Sequence, residues 1–139
     1  MKPGGGRAKG AAFERRIAKA LSKVFPDARR GFQFRGGSDA PDIIGCDQWC
    51  IECKVGRPAK KPEDALAQCE ADAARRGDNK SWCVAICQED RRGVMVYMRA
   101  ETLVVAMYRD CFPRGYPQAG IIVSMSLDDF ILLADGRRK

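Results

Sequence analysis

The segment that most constrains this chain runs Pro41-Asp42-Ile43-Ile44-Gly45-Cys46-Asp47-Gln48-Trp49-Cys50-Ile51-Glu52-Cys53-Lys54. Two short apolar runs flank a turn-forming stretch, which is the pattern of a β-hairpin. A hairpin symmetric about Asp47 pairs residues whose numbers sum to ninety-four, so Asp42 stands opposite Glu52. Directly opposed side chains have Cβ atoms about 5 Å apart, where two like charges repel. A fold keeps such a pair when a cation sits between them. Two hard oxygen donors in a half-open site suit Mg²⁺, which also takes phosphate oxygens and water. Strand alternation puts Lys54 on the same face as Glu52. Two carboxylates and one ammonium on one surface suit metal-assisted phosphodiester hydrolysis.

At 139 residues the chain is expected to form one domain with a substantial core. Apolar content of 45% and charged content of 31% are ordinary for a globular protein. No apolar run approaches the roughly 20 residues needed to span a bilayer, so no membrane partner is expected. Met1 to Lys9 is basic and glycine-rich without an apolar centre. It reads as a flexible basic arm ahead of a single domain over 10–139, not as a secretory signal, and the expected location is the cytoplasm. Charge is unevenly spread. Residues 1–35 carry ten Lys/Arg against Glu14 and Asp27, a net of +8. The whole chain totals +7, which leaves −1 for the other 104 residues. That asymmetry reads either as a solvated basic face or as a phosphate-binding surface near the N-terminus.

Seven cysteines and no histidine narrow the chemistry further. Cys50-x-x-Cys53 has metal-ligand spacing in form, but positions 50 and 53 of a strand face opposite ways. Without histidine, mixed Cys/His zinc sites are excluded; an all-cysteine site stays open, although no second Cys-x-x-Cys pair exists. An odd cysteine count fits free thiols acting as small core hydrophobes. The lack of histidine also removes Ser-His-Asp hydrolysis, Cys-His proteolysis and histidine-metal nucleases. Acid–base work falls to carboxylates, lysine or metal-activated water.

The remaining periodicities give the frame. Phe13, Ile17, Leu21 and Val24 form an apolar stripe that predicts a helix over 8–24. Arg15, Lys19 and Lys23 recur every four residues as a basic ridge on it. A strand is expected over 31–35, then the hairpin. Pro62-Glu63-Asp64 starts a second helix that Gly77 ends. Strands over 81–88 and 94–98, a helix over 101–108, a strand over 120–125 and a final helix capped by Ser126 complete the reading. The order α-β-β-β-α-β-β-α-β-α implies an α/β fold with a central mixed sheet flanked by helices.

Pro41, Asp42, Glu52 and Lys54 together match Pro-Asp, a spacer, then Glu-x-Lys. This resembles the PD-(D/E)XK nuclease superfamily, whose core is restriction-endonuclease-like. Gly10 to Ala18 looks like the family's first helix with its extra glutamate, here Glu14. Arg35-Gly36-Gly37-Ser38-Asp39-Ala40 resembles the approach to the motif in archaeal-type Holliday junction resolvases. Gln68 sits where virus-type replication-repair nucleases carry a glutamine. The resemblance covers roughly residues 8 to 90.

The resemblance implies a Mg²⁺-dependent endonuclease, with Mn²⁺ as a substitute, acting on branched or structured DNA, and a homodimer if cuts are symmetric. The segment Ile121 to Leu133 is the expected interface. Asp42, Glu52 and the backbone carbonyl of Cys53 are the implied metal ligands, and Lys54 the group that assists the attacking water. Glu14 either completes this site or is a helix acid paired with Arg15 or Lys19. Gln68 is either an amide bonded to the site or a polar surface residue. Ser38 and Arg35 are expected at phosphate, with Lys9, Arg15, Lys19, Lys23, Arg57, Lys60 and Lys61 along the DNA. The rival readings are a non-catalytic nucleic-acid-binding module and, among enzymes, a sequence-specific or RNA-directed nuclease.

Overall fold

The alternating segments join into one six-stranded sheet in the computed structural model, which describes residues 5–31, 40–55, 62–89, 92–107 and 121–135. The strands are β1 (Arg29–Arg30), β2 (Ile43–Ile44), β3 (Cys50–Lys54), β4 (Cys83–Glu89), β5 (Gly93–Arg99) and β6 (Ile122–Ser126). They lie side by side in chain order. Only β3 and β4 run parallel, and the helix α2 (Pro62–Arg76) makes the crossover between them. The other helices are α1 (Gly5–Leu21), α3 (Ala100–Met107) and α4 (Leu127–Asp135). Among the described residues the fold is therefore α/β, a mixed sheet flanked by four helices. No helix among them is long and apolar enough to cross a membrane.

The element order agrees with the one read from the sequence, and the differences are local. Helix α1 begins at Gly5 and ends at Leu21, with turns over residues 22–24. Thus residues 5–9 extend the helix where an arm was expected. The first strand forms at Arg29–Arg30, before the expected 31–35, of which residues 32–35 lie outside the described set. The strand expected from Ser81 begins at Cys83, because Lys80–Trp82 closes a 3₁₀ turn. Ser126 caps α4 as expected, its Oγ accepting from the Asp129 amide at 3.1 Å.

The two faces of the sheet are packed differently. On one face, α1 and α4 bring Phe13, Ile17, Leu21 and Phe130 against Ile43, Ile51, Val84, Ile86, Val96 and Met98. Trp49 seals this layer edge-to-face against Phe130 and Trp82, with ring centroids 5.0 and 4.9 Å away. On the other face, α2 presents Ala65, Leu66, Cys69 and Ala73 to Cys50, Cys83, Ala85, Cys87 and Tyr97. Mostly small side chains fill that layer. In the segment expected to form a dimer interface, Phe130 belongs to the core while Ile121 and Leu132 are exposed.

Two glycines set the hairpin against the rest of the chain. A Cβ on Gly31 would lie 1.9 Å from the Pro41 carbonyl oxygen, so the end of β1 packs directly on the residue before Asp42. Gly45 has φ +82°, and a Cβ there would lie 2.0 Å from the Asp27 carbonyl oxygen. Gly77 shares that backbone conformation, φ +80°, but has open space around it. Gly77→Ala should therefore cost only the left-handed strain, about 1–2 kcal/mol. Gly45→Ala should cost that plus ~1–3 kcal/mol of overlap. Urea unfolding of the two variants checks this, and equal losses would contradict the close approach.

Candidate active site

Hydrogen bonds fix both the backbone and the carboxylate of Asp42. Its amide donates to the Ile51 carbonyl at 3.0 Å, and its carbonyl accepts from the Gly31 amide at 2.8 Å. Its Oδ2 accepts from the Cys53 amide at 2.9 Å. The hairpin register is the expected one, with Ile43 opposite Ile51. The β2–β3 ladder is described at that pair, and one residue further out the Asp42 side chain takes the Cys53 amide. Asp42 is consequently buried, only 6% exposed. The N–H and C=O of a strand residue point to the same edge, so the Cys53 carbonyl also faces the β2 side.

Glu52 lies between β2 and β4 with a side chain only 14% exposed. Lys54 Nζ stands 3.7 Å from its Oε1, on the face that alternation assigns to both. Burial, then the neighbouring Asp42 charge, pushes the Glu52 carboxyl up to about 8. Lys54 opposes the rise, while a hydrogen bond with Asp42 and the charge of Asp72 add to it. At neutral pH, with no cation present, Glu52 keeps its proton beside Asp42 in place of a second negative charge. A divalent cation would relieve the same repulsion, and the donors on hand are hard oxygens of the kind Mg²⁺ takes.

The other expected residues fall into place unevenly. Glu14 approaches from α1, on the opposite face of the sheet from α2. Its Oε2 accepts from Arg30 Nε at 2.7 Å, so its ion-pair partner is Arg30, neither Arg15 nor Lys19. Glu14 still reaches the site electrostatically. Burial first, then Asp42, Glu14 and Glu52, holds the Cys53 thiol well above its usual range. Gln68 is an exposed position on α2, and its Nε2 donates to Asp72 Oδ1 at 3.1 Å. Lys9, Arg15, Lys19 and Lys23 are all exposed. Arg35, Ser38, Arg57, Lys60 and Lys61 lie outside the described residues.

No family model, curated protein or solved structure matches the chain. The geometry of the residues themselves is what bears on function.

Two features were missed in the sequence. Asp72 is a buried acid on α2 whose charge acts on Glu52. Burial opposes its ionisation, but hydrogen bonds from Arg75 at 2.6 Å and from Gln68 keep its carboxyl below the usual range. The only sequence signal was the i,i+4 spacing of Gln68 and Asp72. The second feature is a cluster of Cys50, Cys69 and Cys83, whose sulfurs all lie within 4.8 Å of one another. Cys50 and Cys53 do face opposite sides, as strand geometry requires. The convergence instead joins β3, α2 and β4, three elements that no short motif spans. Arg76 Nη2 donates to Cys50 Sγ at 3.1 Å. Thiol hydrogen bonds from Cys69 and Cys83, with the Arg76 charge behind them, lower Cys50 to about 3 against its burial. The hydrogen bond to Cys50, ahead of burial, pushes Cys83 up to about 12, and the same two causes drive Cys69 far upward.

The carboxylate pair has a consequence for stability. Glu52 holds its proton to about pH 8 when folded but only to about its ordinary 4.5 when unfolded. Across that window Glu52 binds more protons in the folded chain, so its contribution to stability should fall as pH rises and level off above it. The fall should be on the order of a few kcal/mol. Glu52→Gln should flatten it. Urea unfolding in the presence of a chelator, at acidic, neutral and alkaline pH, measures the slope. A wild-type stability that does not fall relative to that of Glu52→Gln through the window would contradict the raised Glu52 carboxyl.

Proposed function

We propose that the chain is a Mg²⁺-dependent endonuclease that hydrolyses phosphodiester bonds in branched or structured DNA. The observation that supports this most is the pairing of Asp42 with Glu52. A buried carboxylate, Asp42, and a largely covered carboxyl, Glu52, are held together at a cost, with an ammonium beside them and a carbonyl facing the same edge. In this reading Asp42, Glu52 and the Cys53 carbonyl hold the ion. Bound Mg²⁺ supplies Lewis-acid polarisation of a phosphate oxygen and acidifies a water. Lys54 orients the attacking water and stabilises negative charge that develops on the phosphate. The Cys53 amide keeps the Asp42 carboxylate aimed, and Arg30 keeps Glu14 at the margin of the site. Mn²⁺ has the same ligand preferences and should substitute.

The exposed cations of α1 offer a path for the DNA backbone that reads shape more than base sequence. A symmetric cut across a junction would need the sites of two copies of the chain.

The direct test is cleavage of a labelled four-way junction with and without Mg²⁺, alongside duplex, flap and single-stranded controls. Glu52→Gln and Asp42→Asn, which keep the shapes of the side chains, should abolish cleavage and leave DNA binding intact. Lys54→Ala should lower the rate by ~10²-fold or more and spare metal affinity. Wild-type turnover by Glu52→Gln, freed of contaminating nuclease, would overturn the assignment. DNA binding with no cleavage of any substrate would favour a binding module instead.

The basic ridge makes a separate claim. Each phosphate contact removed should reduce the slope of log K against log salt by about 0.9 on duplex DNA. Combined Ala substitution of Arg15, Lys19 and Lys23 should therefore flatten the slope by about two to three. A salt titration in Ca²⁺ reads this, and an unchanged slope would mean the ridge is solvated surface.

A further inference from the structure

We infer that Cys50, Cys69 and Cys83 form a soft-metal site for one divalent ion of the Zn²⁺ class, separate from the carboxylate centre. The three sulfurs come from the first residue of β3, the middle of α2 and the first residue of β4. Cys50 and Cys83 are direct neighbours in the parallel register. The thiols of Cys50 and Cys69 stand 4.0 Å apart, and no pair in the cluster exceeds 4.8 Å. With Zn–S bonds of about 2.3 Å, sulfurs placed tetrahedrally sit roughly 3.8 Å apart. The site therefore needs a contraction of at most about 1 Å, within side-chain rotation. A disulfide between Cys50 and Cys69 needs a closure near 2 Å with a restricted dihedral.

Burial alone does not account for the cluster. The layer between α2 and the sheet is built from small residues, and cysteine serves there as a small hydrophobe much as alanine does. That role asks nothing of the direction of the sulfurs. Here three of them converge, and the guanidinium of Arg76, whose side chain is only 12% exposed, points at one. A guanidinium at hydrogen-bond distance favours the thiolate form of Cys50, which is the form that ligates metal. The Arg76 Nε also meets the half-exposed Asp78 carboxylate at 2.9 Å.

Charge balance selects the ion. Three thiolates and one divalent cation carry a single net negative charge, and the Arg76 guanidinium cancels it. A monovalent soft ion would leave the buried group anionic. Loading exchanges the ion for the protons that the cluster thiols still carry, which leave to the buffer. A cleft of about 340 Å³ by the hairpin turn is lined by Cys50, Asp78 and Asn79. Three protein ligands leave one tetrahedral position open. The ion would pin to α2 the start of β4 and the start of β3, the strand that carries Glu52 and Lys54. The inference does not depend on the nuclease reading, since hard oxygen ligands and thiolates give different spectra.

The test is anaerobic titration of the reduced, chelator-stripped full chain with Co²⁺. The expected result is an intense sulfur-to-cobalt charge-transfer band that saturates at one ion per chain and bleaches when Zn²⁺ is added. Cys69→Ser and Cys83→Ser should each lose the band and weaken Zn²⁺ binding by ~100-fold or more. Cys46→Ser and Cys87→Ser, also buried thiols but outside the cluster, should keep it. Glu52→Gln should keep it too, which separates this site from the carboxylates. If the cluster variants do not fold, zinc-edge X-ray absorption on the wild-type protein still decides, with three sulfur neighbours expected. Absence of the band, its loss in Cys87→Ser with retention in Cys69→Ser, or a sulfur count below three would overturn the site. So would ready formation of a Cys50–Cys69 disulfide in a chain that binds no Zn²⁺.

Discussion

The hydrogen bond from the Cys53 amide to the Asp42 carboxylate is the contact on which the candidate site depends. Strand β2 is two residues long, while β3 continues past it to Lys54. A buried amide facing that edge must find an acceptor or forfeit the cost of its desolvation. Asp42 supplies the acceptor, so its carboxylate is drawn into the sheet plane instead of into water. The price is repulsion with Glu52, which burial then magnifies. Replacing Asp42 by Ala would orphan the Cys53 amide as well as remove a charge, so its loss would test two things at once. Asparagine separates them, because its amide oxygen can still accept.

The unequal packing of the two sheet faces follows from side-chain size. Phenylalanine, isoleucine and leucine from α1 and α4 hold those helices at ordinary distance from the sheet. Alanine and cysteine on α2 and beneath it leave little to interpose. The crossover helix can then bring Asp72 within electrostatic range of Glu52, and Cys69 within reach of two strand cysteines. The same short residues that make a dense interface make a polar and sulfur-rich one.

Much of this could be read from residue order. Strand alternation assigned Lys54 to the face of Glu52, and the register about Asp47 placed Ile43 opposite Ile51. These are local rules, and short-range geometry obeyed them. Where tertiary contacts decide, sequence was silent. Nothing in the pattern about Glu14 names Arg30 as its partner, because the two meet only after the turn beyond α1 folds back. Gln68 looked equally suited to site or surface, and the rotation of α2 chose the surface. Alternation rightly set Cys50 and Cys53 apart, but no local rule joins Cys50 to Cys83. Cys50 and Cys53 are near in sequence and on opposite faces, whereas Cys50 and Cys83 are far apart in sequence and adjacent in the sheet.

Strand β3 thus carries two donor sets of opposite chemistry. Its first residue contributes a thiol to a sulfur cluster, and its third and fourth face hard oxygen donors. Hardness would keep the occupants apart, since thiolates favour soft ions and carboxylates with carbonyls favour Mg²⁺. Distance along the strand adds to this, because Cys50 and Glu52 share a face but lie two residues apart, about 7 Å. Both sets are tied to the same helix. Cys69 and Arg76 meet the start of β3, while Asp72, held by Arg75 and Gln68, acts on Glu52. A change that shifts α2 along the sheet would therefore alter the sulfur geometry and the field at Glu52 together. Coupling between the two ends requires no relay of side chains, only a rigid helix that both ends hold.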